Sequence, residues 1–275
     1  MATSNIDQQD SMATADDYSI GGMDDEEEEL DGATMSLVEH LEELRRRIFK
    51  SLIAVVLGAI VTFIFRVQLM NFLTLPLPKV ADQIGKGNLV VIGIAEGFTV
   101  FLKLAVAGGI LIAIPVLLYQ AWAFISPGLY PREKKTALPF VFVGIVLFLA
   151  GITLGYVVLQ YPVNWLVNFA STNFTELVTA DSYFTFVAFF VLIFGIVFEI
   201  PLVLTFLAKI GLVTAEMLTK KRATAHIGMW IAATVITPGA DIYSPVIIGV
   251  AASFLFELSI IFIRITTKKK VAIEA

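Results

Sequence analysis

Cysteine is absent from this 275-residue chain, and His40 and His226 are its only histidines. Without cysteine, disulfides, thiolate metal sites and cysteine nucleophiles are excluded. Two histidines so far apart in the chain make a poor metal site or catalytic base pair. A glycine loop of phosphate-binding spacing is missing as well. We therefore expect no enzyme activity, no metal and no cofactor.

Charged residues are few, at 16% of the chain, whereas 57% of the residues are hydrophobic. The mean hydropathy of +0.85 leaves too little polar surface for a soluble domain of this length. The composition predicts an integral membrane protein.

Basic residues are missing from the first 34 positions, which contain eleven acids. Such a segment cannot bury enough apolar area to order itself, so residues 1–34 are predicted to be a disordered acidic tail. The segment lacks the positive start and apolar core of a secretory signal, which predicts a cytoplasmic N-terminus. A membrane domain is predicted over residues 35–267, followed by a short basic tail over 268–275.

Six apolar stretches are nearly free of charge, which predicts an all-α protein with six transmembrane helices. They cover about 51–65, 104–125, 138–160, 183–208, 224–236 and 243–263. The fifth reaches only about 20 Å, against a hydrocarbon core of about 30 Å. Either this short helix thins the adjacent lipid or lies beside water, or it begins earlier, near Lys220, and its basic side chains extend to the interface.

Basic residues are distributed unequally between the two sets of loops. With the N-terminus inside, the inner flanks hold 15 lysines and arginines and the outer flanks hold four. Because cytoplasmic flanks are enriched in these residues, both termini are predicted to be cytoplasmic, in a multi-pass protein of the cell membrane.

The segment 35–50, just before the first stretch, places Leu37, Leu41, Leu44 and Ile48 at helical spacing opposite a charged face. This pattern predicts an amphipathic helix at the cytoplasmic membrane surface. A plain basic anchor would explain Arg45 to Arg47 but not the acids around them.

Several short motifs occur in one order along the chain, and together they resemble the TatC family of the twin-arginine protein translocase. The first is His40-Leu41-Glu42-Glu43-Leu44-Arg45-Arg46-Arg47, similar to the start of TatC proteins, and the longest runs from Pro115 to Lys135. The others are Leu75-Pro76-Leu77, Phe198-Glu199-Ile200-Pro201, Lys220-Lys221-Arg222, Thr237-Pro238-Gly239-Ala240-Asp241 and Leu255-Phe256-Glu257. The acidic head has no counterpart in the family pattern.

The resemblance implies a core receptor subunit that binds twin-arginine signal peptides of folded cargo at the cytoplasmic face. It further implies assembly with TatA/TatB-type single-span proteins, self-association in a larger complex, transport driven by the proton-motive force, and no nucleic-acid partner. The family pattern assigns signal-peptide binding to Glu43, Arg45, Arg47, Phe124, Leu129, Tyr130 and Glu133, and functional turns to Pro76, Pro127, Pro238 and Asp241.

Glu43 and Glu133 have chemistry that suits this assignment, because two adjacent arginines need carboxylates that accept forked guanidinium hydrogen bonds. Both residues belong to segments predicted at the inner face. The alternative is a structural pairing with Arg45, Arg132 or Lys134.

Glu199 is an acid well inside a predicted span, where an ionisable group is costly unless it faces protein or water. It is expected to contact partner helices or cargo, or else to be a locally hydrogen-bonded structural group, and burial favours its protonated form. An alternative function is a proton-coupled secondary transporter that uses Glu199 as its relay and the helix breaks near Pro115, Pro201 and Pro238 as its gate. A scaffold without transport activity is a third.

Overall fold

The computed structural model describes residues 37–77, 89–125, 137–169, 178–237 and 241–274, which are almost entirely helical. These residues contain ten helices: α1 (Leu37–Ile64), α2 (Arg66–Leu73), α3 (Glu96–Ile125), α4 (Ala137–Val158), α5 (Gln160–Phe169), α6 (Ala180–Phe198), α7 (Ile200–Lys209), α8 (Ala215–Lys220), α9 (Arg222–Ile236) and α10 (Tyr243–Glu274). The predicted acidic tail lies outside the described residues. The predicted basic tail continues α10 as far as Glu274.

Five candidate membrane spans occur among the described residues: Val38–Ile64, Glu96–Phe124, Pro139–Phe169, Ala180–Lys209 and Tyr243–Thr266. The third combines α4 with α5, and the fourth combines α6 with α7. The predicted fifth span is α9, whose 15 residues reach about 22 Å. The all-helical, multi-span fold is confirmed, whereas a sixth crossing by α9 stays a prediction.

The helix α1 runs without interruption from Leu37 to Ile64, so the predicted amphipathic segment and the first span belong to one helix. Contacts divide the chain into two units, residues 1–46 and 47–275. In the first unit, the described residues are the opening turns of α1. The packing described below belongs to the second unit.

The second span begins at Glu96, eight residues before the predicted start at Leu104. Glu96 stabilises this start because its Oε2 accepts hydrogen bonds from the backbone N–H groups of Ile92 and Gly93, at 2.6 and 2.9 Å. Lys103, the residue just before the predicted start, lies within α3 and pairs with Asp181 at 2.6 Å. Its charge has a partner there, so the helix does not end at that lysine.

The third span continues past residue 160, where the predicted stretch ended before Tyr161-Pro162. The chain breaks briefly at Leu159 and resumes as α5 over Gln160–Phe169. Pro162 lies in the first turn of α5, where its missing N–H removes no intrahelical hydrogen bond. Proline therefore starts a new helix here instead of ending the span.

Glycines allow close approach at two helix crossings. A Cβ added at Gly109 of α3 would lie 2.6 Å from the Ala59 backbone nitrogen of α1, and one added at Gly151 of α4 would lie 2.5 Å from the Phe194 backbone oxygen of α6. Distances this short exclude a side chain without backbone movement. Small residues at crossings are expected in membranes, where dispersion contacts between helices replace the hydrophobic effect.

The best-packed part of the second unit is an aromatic and aliphatic core around α6. Phe184, Phe190, Phe194, Leu104 and Leu159 are almost completely buried in it. The opposite surfaces of α1, α4 and α10 expose long series of Ile, Leu, Val and Phe side chains, as lipid-facing helices do.

At one end of the second unit, polar contacts tie the connecting segments to the helices. The hydroxyls of Tyr156 and Tyr183 donate to the carbonyls of Phe72 and Leu73, both at 2.7 Å, and so hold the end of α2. Residues Val90 and Thr179 form a single parallel bridge that joins the segments before α3 and α6. This end is called the α2 end below. The helix α8 lies away from it, next to the start of α9 and the later part of α10.

Candidate functional site

The start of α1 carries Glu43 and Arg45 in the first unit. Glu43 is half-buried and Arg45 is exposed. Arg47, on the same helix, belongs to the second unit.

Arg47 opens the second unit and is half-buried on α1. Its Nη1 donates to Oε1 of Gln120 on α3 at 3.4 Å, and Gln120 is only 9% exposed. Gln120 lies one turn before Phe124, which is half-buried in the last turn of α3. The structure therefore brings Arg47 to the same end of α3 as Phe124.

A rigid aromatic cluster supports this end of α3. Trp122, 2% exposed, packs against Phe140 of α4 and Phe206 of α7, with ring centroids 4.4 and 5.3 Å away. Residues two positions apart on a helix face different directions, so Phe124 does not share the direction in which Trp122 packs. Packing of Trp122 fixes the helix end that carries Phe124.

Leu129, Tyr130, Glu133 and Pro127 lie outside the described residues, as does Pro238 of the second turn motif. Their roles stay predictions. Pro76 is described, and it is half-buried in the turn that follows α2.

Asp241 precedes α10 and is 6% exposed. Its Oδ1 accepts the backbone N–H of Ser244 at 2.6 Å, which satisfies one of the free donors at the helix start. The residue therefore stabilises the turn between α9 and α10 from the α10 side.

Glu199 lies at the break between α6 and α7. Its backbone N–H bonds to the Ile196 carbonyl at 3.0 Å, a tightened turn, and Pro201 follows in the first turn of α7. Proline lacks the N–H that would continue the α-helical pattern of α6, so the helix changes register at Glu199. The break therefore places the acid at the junction of two helices.

The Glu199 carboxylate is buried between helices. Both oxygens are inaccessible, and neither has a hydrogen-bond partner among the described residues. A Cβ added at Gly144 of α4 would lie 3.4 Å from Glu199 Oε2 and 2.8 Å from Leu118 Cδ1 of α3. The carboxylate thus lies beside Gly144, whose missing side chain leaves room mainly for the leucine side chains around it.

An unpartnered buried carboxylate is costly, because it loses hydration without gaining hydrogen bonds. Such a group in a membrane span is well suited to accept a hydrogen bond from, or share a proton with, a polar group of another molecule. The sequence left two alternatives for Glu199, a contact with partner helices or cargo and a locally hydrogen-bonded structural role. The described contacts do not supply the local hydrogen bond that the structural role would need.

Glu257 of α10 has a different environment. Its carboxylate pairs with Arg222 at 2.6 Å and contacts His226 Nε2 at 3.0 Å, both on α9. Arg222 and His226 are four residues apart and so share one face of α9. The three side chains connect α9 to α10 near α8.

The Glu257 cluster was missed as a unit by the sequence analysis, although the family motifs include Arg222 and Glu257. The signal that could have revealed it is the four-residue spacing of Arg222 and His226 on α9, together with the acid Glu257 in the next span. The contact between Lys103 and Asp181 was also missed, because the two residues are 78 positions apart.

The class of protein follows from these features: a multi-span helical membrane protein with a buried acid at a helix break. The family model for the Sec-independent protein translocase protein TatC matches residues 39–250. The chain therefore belongs to the TatC family and is a non-enzymatic component of a protein translocase, which confirms the resemblance and the prediction of no enzyme activity.

Similar proteins span most of the chain. TatC of Desulforapulum autotrophicum is 38% identical over 234 residues, covering 84% of this chain and 85% of the relative. TatC of Carboxydothermus hydrogenoformans is 35% identical over 237 residues, covering 86% and 96%. A crystal structure of the twin-arginine translocase receptor TatC matches with a TM-score of 0.72 and 33% identity, covering 83% of this chain and all of that one.

Proposed function

We propose that this chain is the receptor subunit of the twin-arginine translocase, binding twin-arginine signal peptides at the cytoplasmic face and assembling with TatA/TatB-type partners for export driven by the proton-motive force. The observation that carries this proposal is the buried Glu199 carboxylate, which lacks a partner within the described chain. A partner helix that presents a polar side chain at membrane depth would satisfy it. The secondary transporter is the less suitable alternative, since the chain is a translocase component.

Signal-peptide recognition is assigned to two other acids, Glu43 and Glu133. Glu43 is half-buried on α1, in the same helix as Arg45 and Arg47, and Glu133 belongs to the segment that follows α3. A carboxylate at this position can accept a forked hydrogen bond from an incoming guanidinium. Phe124, Leu129 and Tyr130 would contact the apolar part of the peptide.

The test is the affinity of a twin-arginine peptide for the detergent-solubilised protein and its Glu43 variants. Loss of one charged hydrogen bond should weaken binding about 10- to 150-fold in Glu43→Gln, because such bonds contribute about 1.5–3 kcal/mol. Glu43→Lys should be weaker still, since it adds repulsion. The same order is expected for Glu133→Gln and Glu133→Lys.

Glu42→Gln is the matched control, because Glu42 is an exposed acid on the same helix. Measurements at two salt concentrations separate direct contact from general attraction, as only the latter is strongly screened. Equal affinity for the wild type, Glu43→Gln and Glu43→Lys would exclude the proposed contact.

A further inference from the structure

An open cavity of about 430 Å³ lies at the α2 end, where α5 meets the first residue of α10. It is lined by Tyr161, Asn164, Trp165, Asn168, Phe169 and Tyr243. The cavity is far in sequence from the acids assigned above and is not part of the proposed peptide or partner sites.

The helix α5 builds most of the cavity from one face. Its lining residues follow spacings of three and four, which place them in adjacent turns on the same side. Trp165 is central: its ring centroid is 4.8 Å from that of Phe169 and 6.0 Å from that of Tyr243 on α10. Together with Tyr161, four aromatic rings therefore border the open space.

The amide groups in the cavity have a fixed orientation. Asn164 Nδ2 donates to the Gln160 carbonyl at 2.7 Å, and Asn168 Nδ2 donates to the Asn164 carbonyl at 2.6 Å. Each bond uses one of the two N–H donors of its amide nitrogen, and the Asn164 side-chain oxygen can accept a hydrogen bond. The lining thus offers aromatic faces and an amide oxygen.

Electron-rich aromatic faces and acceptor oxygens favour a cation, and quaternary and primary ammonium groups bind well over aromatic rings. None of the six lining residues carries a formal charge. A bare phosphate or carboxylate would find no cation here, whereas an ammonium group would be attracted by the rings without repulsion.

The ends of membrane spans bring this cavity to the lipid head groups, where tryptophan and tyrosine are enriched. We propose that the cavity binds the ammonium head group of a zwitterionic phospholipid, such as phosphatidylethanolamine, in the outer leaflet. The leaflet, though not the binding, rests on the topology proposed for this protein. The lipid would occupy the corner between the third and last spans.

Binding can be measured by native mass spectrometry of the full chain in detergent, titrated separately with phosphatidylethanolamine, phosphatidylcholine and phosphatidylglycerol. The two ammonium lipids should bind, and phosphatidylglycerol should bind more weakly. Trp165→Leu should weaken binding of phosphatidylethanolamine about 3- to 10-fold, as expected for the loss of a cation–aromatic contact. Trp165→Phe keeps a ring and should retain most of the affinity.

Asn164→Asp provides a test that does not depend on removing a ring, because a carboxylate in the cavity should tighten binding of the ammonium lipids. The control is Phe254→Leu, which removes an exposed aromatic ring on the same helix as Tyr243. Equal binding of all three lipids, or affinities unchanged in both Trp165→Leu and Asn164→Asp, would overturn the proposal. Peptide binding to the same samples reports separately on the receptor function, so either proposal can fail alone.

Discussion

At the scale of single residues, the environments of Glu199 and Glu257 show how two acids in apolar helices differ. Glu257 has a guanidinium and an imidazole within 3.0 Å, so its charge is balanced inside the chain. Glu199 has no hydrogen-bond partner among the described residues. The first acid connects two helices, whereas the second is available to another molecule.

Glu199→Ala should leave binding of a twin-arginine peptide nearly unchanged but impair partner assembly and transport, because the acid lies at membrane depth while the peptide's arginines arrive at the surface. Glu199→Gln should be milder, since an amide can make the hydrogen bonds of a neutral acid. Co-purification of TatA/TatB-type proteins and export of a reporter cargo measure the two effects.

Glu216→Gln is the control for that experiment, because Glu216 is an exposed acid on α8. Wild-type partner recovery and export in Glu199→Ala would contradict the assigned role. Loss of peptide binding together with export would instead indicate a general folding defect.

At the scale of helices, backbone proximity at glycine crossings holds the α4–α6 pair together. Gly151→Val should destabilise the folded protein by about 1–3 kcal/mol, as over-packed interfaces do, because even its Cβ would meet the Phe194 carbonyl. The midpoint of thermal unfolding in detergent measures this loss.

Gly228→Ala on α9 is the matched control, since an added Cβ there meets nothing within 4 Å. Replacing a helical glycine by alanine at an open position should be neutral or stabilise the helix by up to about 1 kcal/mol. An unfolding midpoint that falls equally in both variants would rule out the crossing as the cause.

At the scale of the whole molecule, the absence of cysteine makes the topology directly testable by single introduced thiols. Ile92→Cys, 76% exposed before α3, should react with an impermeant maleimide added outside intact cells. Met217→Cys, 46% exposed on α8, should react only after the cells are opened. The reason is the inequality of 15 against four basic residues between the two sets of flanks.

The contrary result would be labelling of Met217→Cys in intact cells, or a reporter fused within residues 161–182 that is active only in the cytoplasm. Either one would invert or reduce the six-span arrangement. The experiment tests the crossing by the short α9 most directly, since this helix reaches about 22 Å and the hydrocarbon core is about 30 Å thick.

Sequence patterns predicted the membrane class, the helical architecture and the family, because long apolar stretches and ordered motifs are properties of local sequence. They predicted helix ends less well. The predicted second stretch began just after Lys103 and the third ended just before Tyr161-Pro162. In the structure, a distant carboxylate pairs with Lys103 inside a helix, and a new helix begins around Pro162.

The sequence by itself determined that this chain lies in a membrane, that it belongs to the translocase family, and that Glu199 is a costly acid in an apolar span. Only the tertiary structure decided which acids have partners, which glycines are pressed against a neighbouring backbone, and that α5 and Tyr243 border an open cavity. The physical reason is that these properties depend on the packing of helices far apart in the chain: Arg222 and Glu257 are separated by 35 positions, and Lys103 and Asp181 by 78. Periodicity and composition specify which face of a helix is apolar, but they do not specify which helix covers it.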